Sequence, residues 1–256
     1  MSLRIIFMGT PQFAVPSLEA LLSSPHTVLT VVTQPDRPRG RGQRVTVSPV
    51  KAVAQKHRVP VIQPTTLRDR ELYAYFRSLR PDIMVVVAYG KFLPASLLTL
   101  PPRGCINVHA SLLPRLRGAA PINWALIRGE TETGITIMQM NERMDAGDIL
   151  LQRAIPIGER DTAQTLHDRL APLGAECLQE ALRLIEEGKA VFRPQEERYA
   201  TYAPRLKKED GHIDWTRRAR DLYNLIRGVI PWPGAYTFRQ GSRLKIWWAD
   251  WTDRPV

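Results

Sequence analysis

The sequence predicts an α/β protein with a doubly wound, mostly parallel sheet, followed by a smaller C-terminal unit. Three observations carry that reading. Short β-branched apolar runs alternate with helix-periodic stretches over the first two-thirds of the chain, the order that produces parallel strands joined by crossover helices. The run "PDIMVVVAYG" (81–90) is almost continuously apolar, as a strand covered by helices on both faces must be. After about residue 190 the periodic apolar character gives way to a basic, aromatic-rich tail.

Taken in order, "LRIIFMG" (3–9) is a strand-like run closed by Gly9, and "VPSLEALLSS" (15–24) places Leu18, Leu21 and Leu22 at helical spacing. "HTVLTVVTQ" (26–34) is β-branched, and the Pro-, Arg- and Gly-rich segment after it is expected to be an extended, mobile loop. Ser48 before Pro49 reads as a helix start, an N-cap oxygen followed by proline at the first helical position. That helix should run to about His57 and lead into "VPVIQ", and "RELYAYFRSLR" (70–80) is amphipathic. Beyond the 81–90 strand come another strand at the start of "GCINVHASLLPRLRG" (104–118), a helix in "APINWALIRGE" (120–130) and a strand in "GITIMQM" (134–140).

Asp161 with Gln164 three residues on has capping-box spacing and opens a helical region to about Gly188. Pro172 should kink it, because proline removes a hydrogen bond and clashes with the preceding turn. "RPQEERYATYAPRLKKEDG" (193–211) reads as a connector, then a helix in "DWTRRARDLYNLIRGV" (214–229) and strand-like runs at 235–239 and 243–251. The expected division is residues 1–192, a basic linker over 193–211, and 212–256.

Charge narrows the partners. Across 256 residues, 36 Lys+Arg against 25 Asp+Glu leave a net charge of +11, which favours a polyanion such as nucleic acid. The segment "QPDRPRGRGQR" (34–44) sets Arg37, Arg39, Arg41 and Arg44 against the single acid Asp36, a composition suited to closing over a phosphate backbone. The last 53 residues hold 11 Lys+Arg, 6 Asp+Glu and five of the six tryptophans. Cations and flat rings together make a nucleic-acid surface, or else Trp232, Trp247, Trp248 and Trp251 fill a small core.

Other classes find little support. No run approaches the ~18 apolar residues of a membrane span, and "MSLRIIFMGT" enters a strand with no signal-peptide pattern. Cys105 and Cys177 make neither a disulfide framework nor a metal cage, and the five histidines lack metal-ligand spacing. The first strand is followed by "GTPQFA", not by a dinucleotide fingerprint. The cytoplasm is the expected compartment.

The chemistry is concentrated in 104–118. In a strand, residues i and i+2 point to one side, so Cys105, Asn107 and His109 share a face near the carboxyl end, where open parallel sheets bind ligands. An asparagine amide donates, and a histidine donates or exchanges a proton; side by side they can hold a carbonyl oxygen as it becomes an oxyanion. In "MDAGDIL" (144–150) a carboxylate follows a strand, and near His109 it would stabilise the imidazolium, letting one group act as acid and base. Spacing alone does not separate Asp145 from Asp148. A Cys105 thiol nucleophile is the weaker alternative.

These segments together resemble the methionyl-tRNA formyltransferase family, within the folate-dependent formyltransferases. The resemblance runs the full length and rests on "RIIFMGTPQFA", "VVTQPDRPRGRGQR", "PDIMVVVAYG", "GCINVHASLLPRLRGAAPI", "TGITIMQM", "MDAGDIL" and "TYAPRLKKEDGHIDW". Asn-x-His with Ser-Leu-Leu-Pro points to the folate-dependent group in general; the arginine loop and the "IDW" linker are narrower.

The resemblance implies a Rossmann-like catalytic domain with Asn107, His109 and Asp145 as the catalytic trio. It implies a folate pocket lined by Ser111, Leu112, Leu113 and Pro114. The donor would be 10-formyltetrahydrofolate, with no metal, and the acceptor the amino group of methionyl initiator tRNA. Contacts to the tRNA would come from Arg37, Arg39, Arg41 and Arg44 and from the linker residues Arg205, Lys207 and Lys208. The resemblance also implies an OB-type C-terminal barrel, of which this chain carries one helix and about two strands, an incomplete barrel. The expected form is a cytoplasmic monomer with no membrane partner. Two alternatives stay open: a formyltransferase acting on an amino sugar nucleotide, and a non-catalytic RNA-binding protein.

Overall fold

The computed structural model describes residues 2–39 and 44–252, and of residues 37–39, 44 and 45 the backbone only. The chain divides into two compact units: Met1–His109 with Ile135–Gln152 and Ala171–Gln195, and Ala110–Gly134 with Arg153–Leu170 and Glu196–Val256.

In chain order the strands and helices begin with β1 (Arg4–Gly9), α1 (Val15–Leu22), β2 (Thr27–Val32), β3 (Arg37–Arg39), β4 (Arg44–Thr46) and α2 (Pro49–Lys56). Then come β5 (Val61–Ile62), α3 (Arg70–Ser78), β6 (Ile83–Val87), α4 (Ala95–Leu98), β7 (Cys105–His109) and α5 (Pro121–Ile127). The remainder is β8 (Glu132–Gln139), β9 (Ile149–Pro156), α6 (Ala163–Glu186), α7 (Ala219–Gly228), β10 (Ala235–Arg239) and β11 (Ser242–Ile246).

A seven-stranded sheet in the order β5-β2-β1-β6-β7-β8-β9 forms the frame of the first unit. Its first five strands pair in parallel and β8 runs antiparallel to β7, so the sheet is mostly parallel as the alternation requires. Every residue of β6 is buried, the burial its unbroken apolar run anticipates. One core cluster gathers Met8, Val32, Phe76, Met84, Val86, Tyr89, Leu97 and Cys105. Ser48 caps α2 as expected, its side chain accepting from the Lys51 N–H at 3.1 Å.

Several expectations need correction. The arginine-rich segment is not a plain loop: its flanks form the antiparallel ladder β3–β4, in which Arg37 opposes Thr46 and Arg39 opposes Arg44. Its base is fastened by Asp36, which binds Lys51 and accepts from Gln63 at 2.9 Å, while Lys51 also donates to Gln63 at 2.7 Å. These bonds, Lys51's first, hold the Asp36 carboxyl below its ordinary 3.8. The start of α6 is capped one residue later than its spacing suggests. Thr162 Oγ1 accepts from Thr165 N–H at 3.2 Å and Thr165 Oγ1 accepts from Thr162 N–H at 2.9 Å, while Gln164 turns to Asp168 at 2.9 Å. Pro172 lies inside this helix.

Strand β9 is unheralded because it lies at a sheet edge and carries Gln152, Arg153 and Pro156, residues an edge tolerates and a central strand does not. The C-terminal helix begins at Ala219, not at 214. Asp214 instead accepts from Thr216 N–H at 3.1 Å and from its hydroxyl at 2.7 Å, a local turn that competes with helix.

The second unit has its own core, where Ile127, Leu206, Ile213, Leu222, Leu225, Ile226, Val229 and Ala235 cluster. Strands β10 and β11 form a separate antiparallel pair, and no barrel closes among the described residues. Arg117, only 2% exposed, reaches Glu197 at 2.9 and 3.2 Å, as a buried guanidinium requires. The reading of the tryptophans as a small core fails for Trp232, Trp247 and Trp248, which are 52%, 62% and 40% exposed. Among the described residues no helix is long and apolar enough to cross a membrane.

Candidate active site

Parallel pairing brings the carboxyl ends of neighbouring strands to one edge. Val87, the last residue of β6, pairs with Val108 of β7, and Val86 with Asn107. His109 thus ends β7 at the sheet edge where ligands bind in open α/β sheets. The i, i+2 relation holds: Asn107 is half-buried and His109 buried, on the same face of the strand.

The third member comes from the loop between β8 and β9. Asp145 Oδ2 lies 3.7 Å from His109 Nδ1, and Asn107 Nδ2 donates to Asp145 Oδ1 at 3.5 Å. One carboxylate therefore faces both polar side chains of β7, one oxygen to each. Asp148, which spacing could not separate from it, is exposed, and its carbonyl accepts from Gln139 N–H at 2.8 Å.

The loop that presents Asp145 is tightly determined. Asp145 has φ +48°, a left-handed conformation that aspartate adopts more readily than most residues. A Cβ on Gly147 would stand 1.6 Å from Gln139 O, so only glycine fits. Gln195 Nε2 donates to both Asp145 O and Gly147 O, at 2.8 and 2.7 Å. Gln195 carried no signal in the sequence, being a single polar residue in a connector, and Arg117, though inside the 104–118 stretch, was assigned no role there.

Cys105 shares the face of Asn107 and His109 but is fully buried, and its thiol donates to Leu97 O at 3.5 Å. Burial pushes the thiol up to about 12, which makes it a packing group and not a nucleophile.

Of the predicted folate-pocket residues, Ser111 and Leu113 are buried and Leu112 and Pro114 half-buried. Ser111 Oγ donates to Arg115 O at 2.6 Å, so the hydroxyl closes its own turn. Arg205, Lys207 and Lys208 are exposed around the buried Leu206, an apolar anchor that turns the cations outward. Arg37, Arg39 and Arg44 lie on the β3–β4 ladder, and Arg41 lies outside the described residues. In the second unit, guanidinium groups stack on rings, Arg220 over Trp251 at 4.5 Å and Arg243 over Tyr236 at 3.7 Å.

Fold and site define a formyl transferase: the chain matches the Formyl transferase family over residues 3–182 and the Formyl transferase C-terminal domain over 205–255, and it belongs to that family. Its relatives are more particular. The Methionyl-tRNA formyltransferase of Geobacter sulfurreducens is 57% identical over 245 residues, covering 96% of this chain and 77% of the relative. The protein of the same name from Caldanaerobacter subterraneus subsp. tengcongensis is 57% identical over 249 residues, covering 97% and 81%.

Among solved structures, a sugar N-formyltransferase from Shewanella superposes with TM-score 0.74 at 19% identity, covering 98% of this chain and 99% of that one. HypX from Aquifex aeolicus in complex with tetrahydrofolic acid gives TM-score 0.67 at 19% identity, covering 95% of this chain and 37% of that one. At these identities the structural likeness establishes the fold.

Proposed function

We propose that this chain transfers the formyl group of 10-formyltetrahydrofolate to the amino group of methionyl initiator tRNA, giving N-formylmethionyl-tRNA for translation initiation. The observation that carries the reading is the meeting of Asn107, His109 and Asp145 at the carboxyl edge of the sheet. The acceptor is supported by 57% identity to two proteins named Methionyl-tRNA formyltransferase and by the net charge of +11. A sugar N-formyltransferase and a sugar 3N-formyl transferase share the fold at 19% and 16% identity.

The donor set fits a formyl group. The folate supplies an activated one-carbon unit; the remaining chemistry belongs to three side chains. The Asn107 amide has two N–H groups: one goes to Asp145 Oδ1, and the other donates to the formyl oxygen as negative charge gathers there. With Asp145 facing Nδ1 of His109, that nitrogen carries the proton and Nε2 is left as the base. Nε2 takes the proton shed by the attacking amine, and Asp145 stabilises the resulting imidazolium. The same Nε2–H then donates toward the oxyanion and passes its proton to the departing nitrogen.

Ser111, Leu112, Leu113 and Pro114 are assigned to the folate pocket. Arg37, Arg39, Arg41 and Arg44 bind the acceptor stem, and Arg205, Lys207 and Lys208 bind the tRNA from the linker. Residues 1–192 carry catalysis, 193–211 the linker, and 212–256 a tRNA-binding unit. The test is formation of N-formylmethionyl-tRNA by the purified chain from 10-formyltetrahydrofolate and methionyl initiator tRNA. Turnover supports the acceptor; formylation of an amino sugar nucleotide in its place overturns it.

A further inference from the structure

The Asp145 turn is held by a side chain 50 residues away in sequence. Gln195 Nε2 reaches Asp145 O at 2.8 Å and Gly147 O at 2.7 Å, and a primary amide has one N–H for each. We propose that Gln195 is a positioning residue for formyl transfer: its amide bridges the carbonyls on either side of Ala146 and fixes the turn that aims the Asp145 carboxylate at His109 and Asn107. The inference rests on the role given to that trio above.

The turn needs such a clamp. Asp145 stands at φ +48°, a left-handed conformation that aspartate tolerates but that still costs an L-residue more than the right-handed one. Two backbone constraints bound the turn on its far side. Gly147 packs against Gln139 O with no room for a Cβ, and Gln139 N–H donates to Asp148 O at 2.8 Å. Neither reaches the Asp145 peptide, whereas Gln195 does.

Gln195 is itself well placed to act as a fixed point. Two residues before it, Arg193 exchanges backbone hydrogen bonds with Ile149, the first residue of β9, at 2.8 and 2.9 Å. The segment that carries the amide is therefore tied to the same strand that ends the loop. Loss of the two donors frees the Asp145 peptide to rotate, which moves the carboxylate and leaves the Asn107 and His109 backbones where they are.

The experiment compares Gln195→Ala, Gln195→Glu, Asp145→Asn and the double variant Gln195→Ala/Asp145→Asn in formyl transfer by the full chain. Glutamate keeps the size of the side chain and removes the donors, so it serves where alanine fails to fold. Expected is a kcat about ten- to a hundredfold lower for either Gln195 variant, the scale of a misplaced catalytic group. KM for both substrates should stay within about twofold, the signature of an interaction felt in the transition state. In the Asp145→Asn background the Gln195 change should cost less than about twofold more, because coupled residues are not additive.

A wild-type kcat in both Gln195 variants, or losses that multiply in the double variant, overturns the proposal. If the parent chain formylates no methionyl-tRNA, the acceptor assignment fails, and Gln195 is judged by the imidazole NMR signals of His109. Signals displaced alike by Gln195→Ala and Asp145→Asn support the clamp. Signals moved only by Asp145→Asn overturn it.

Discussion

Asp145 Oδ2 stands 3.7 Å from His109 Nδ1 while Asp145 Oδ1 receives the Asn107 amide at 3.5 Å. A single carboxylate therefore orients both groups proposed to handle the formyl oxygen and the proton. Replacing Asn107 or His109 by alanine is expected to lower kcat by ~10²–10³, the usual cost of one oxyanion donor. Asp145→Asn, which keeps shape and removes charge, should cost ~10² by weakening imidazolium stabilisation. Single-turnover transfer measures all three, with circular dichroism as the folding control, and full activity in any of them would remove that residue from the mechanism.

Gly147 tests how rigid the Asp145 turn must be. An added Cβ would meet Gln139 O at 1.6 Å and Gln139 C at 2.8 Å, and both are backbone atoms that cannot swing aside. Gly147→Ala should cost about 1–3 kcal/mol of stability, within the range of strained single substitutions. Activity should fall ~10²-fold through displacement of the carboxylate. Denaturant titration and kcat read the two effects; unchanged values for both would mean that the turn accommodates the methyl without moving Asp145.

Burial raises the Cys105 thiol from 9.0 to about 12. The folded-state value lies above the unfolded one, so this group's contribution to stability is complete below 9.0 and is lost as pH climbs toward 12. In the folded protein the thiol should resist iodoacetamide at about pH 8 and react once the chain is unfolded. Cys105→Ala should retain most of the transfer activity. A loss comparable to that of His109→Ala would restore the thiol-nucleophile alternative.

Arg41 tests the arginine segment. Its replacement by alanine should raise KM for the tRNA and reduce the salt dependence of binding by about one phosphate contact, with kcat little changed. Identical salt slopes for the two proteins would take Arg41 off the phosphate backbone.

The sequence by itself determined the alternation of strands and helices, apart from β3, β4, α4 and β9, and the shared face of Asn107 and His109. Both follow from periodicity, a local property: strand residues two apart must point together, and a strand with no polar side must be covered twice. The Ser48 cap was legible for the same reason, its donor lying three residues away.

Spacing left open which acid faces His109, and the tertiary structure shows it to be Asp145. Asp145 and Asp148 sit in a turn, where no period assigns direction, and the choice was made by Gly147 wedged against Gln139 and by Gln195 from 50 residues away. It also decided that the arginine segment pairs as a ladder over an Asp36–Lys51–Gln63 base, and that Trp232, Trp247 and Trp248 stand exposed. These are matters of which distant groups meet, and a hydrogen bond between residues far apart in the chain leaves no periodic trace in either of them.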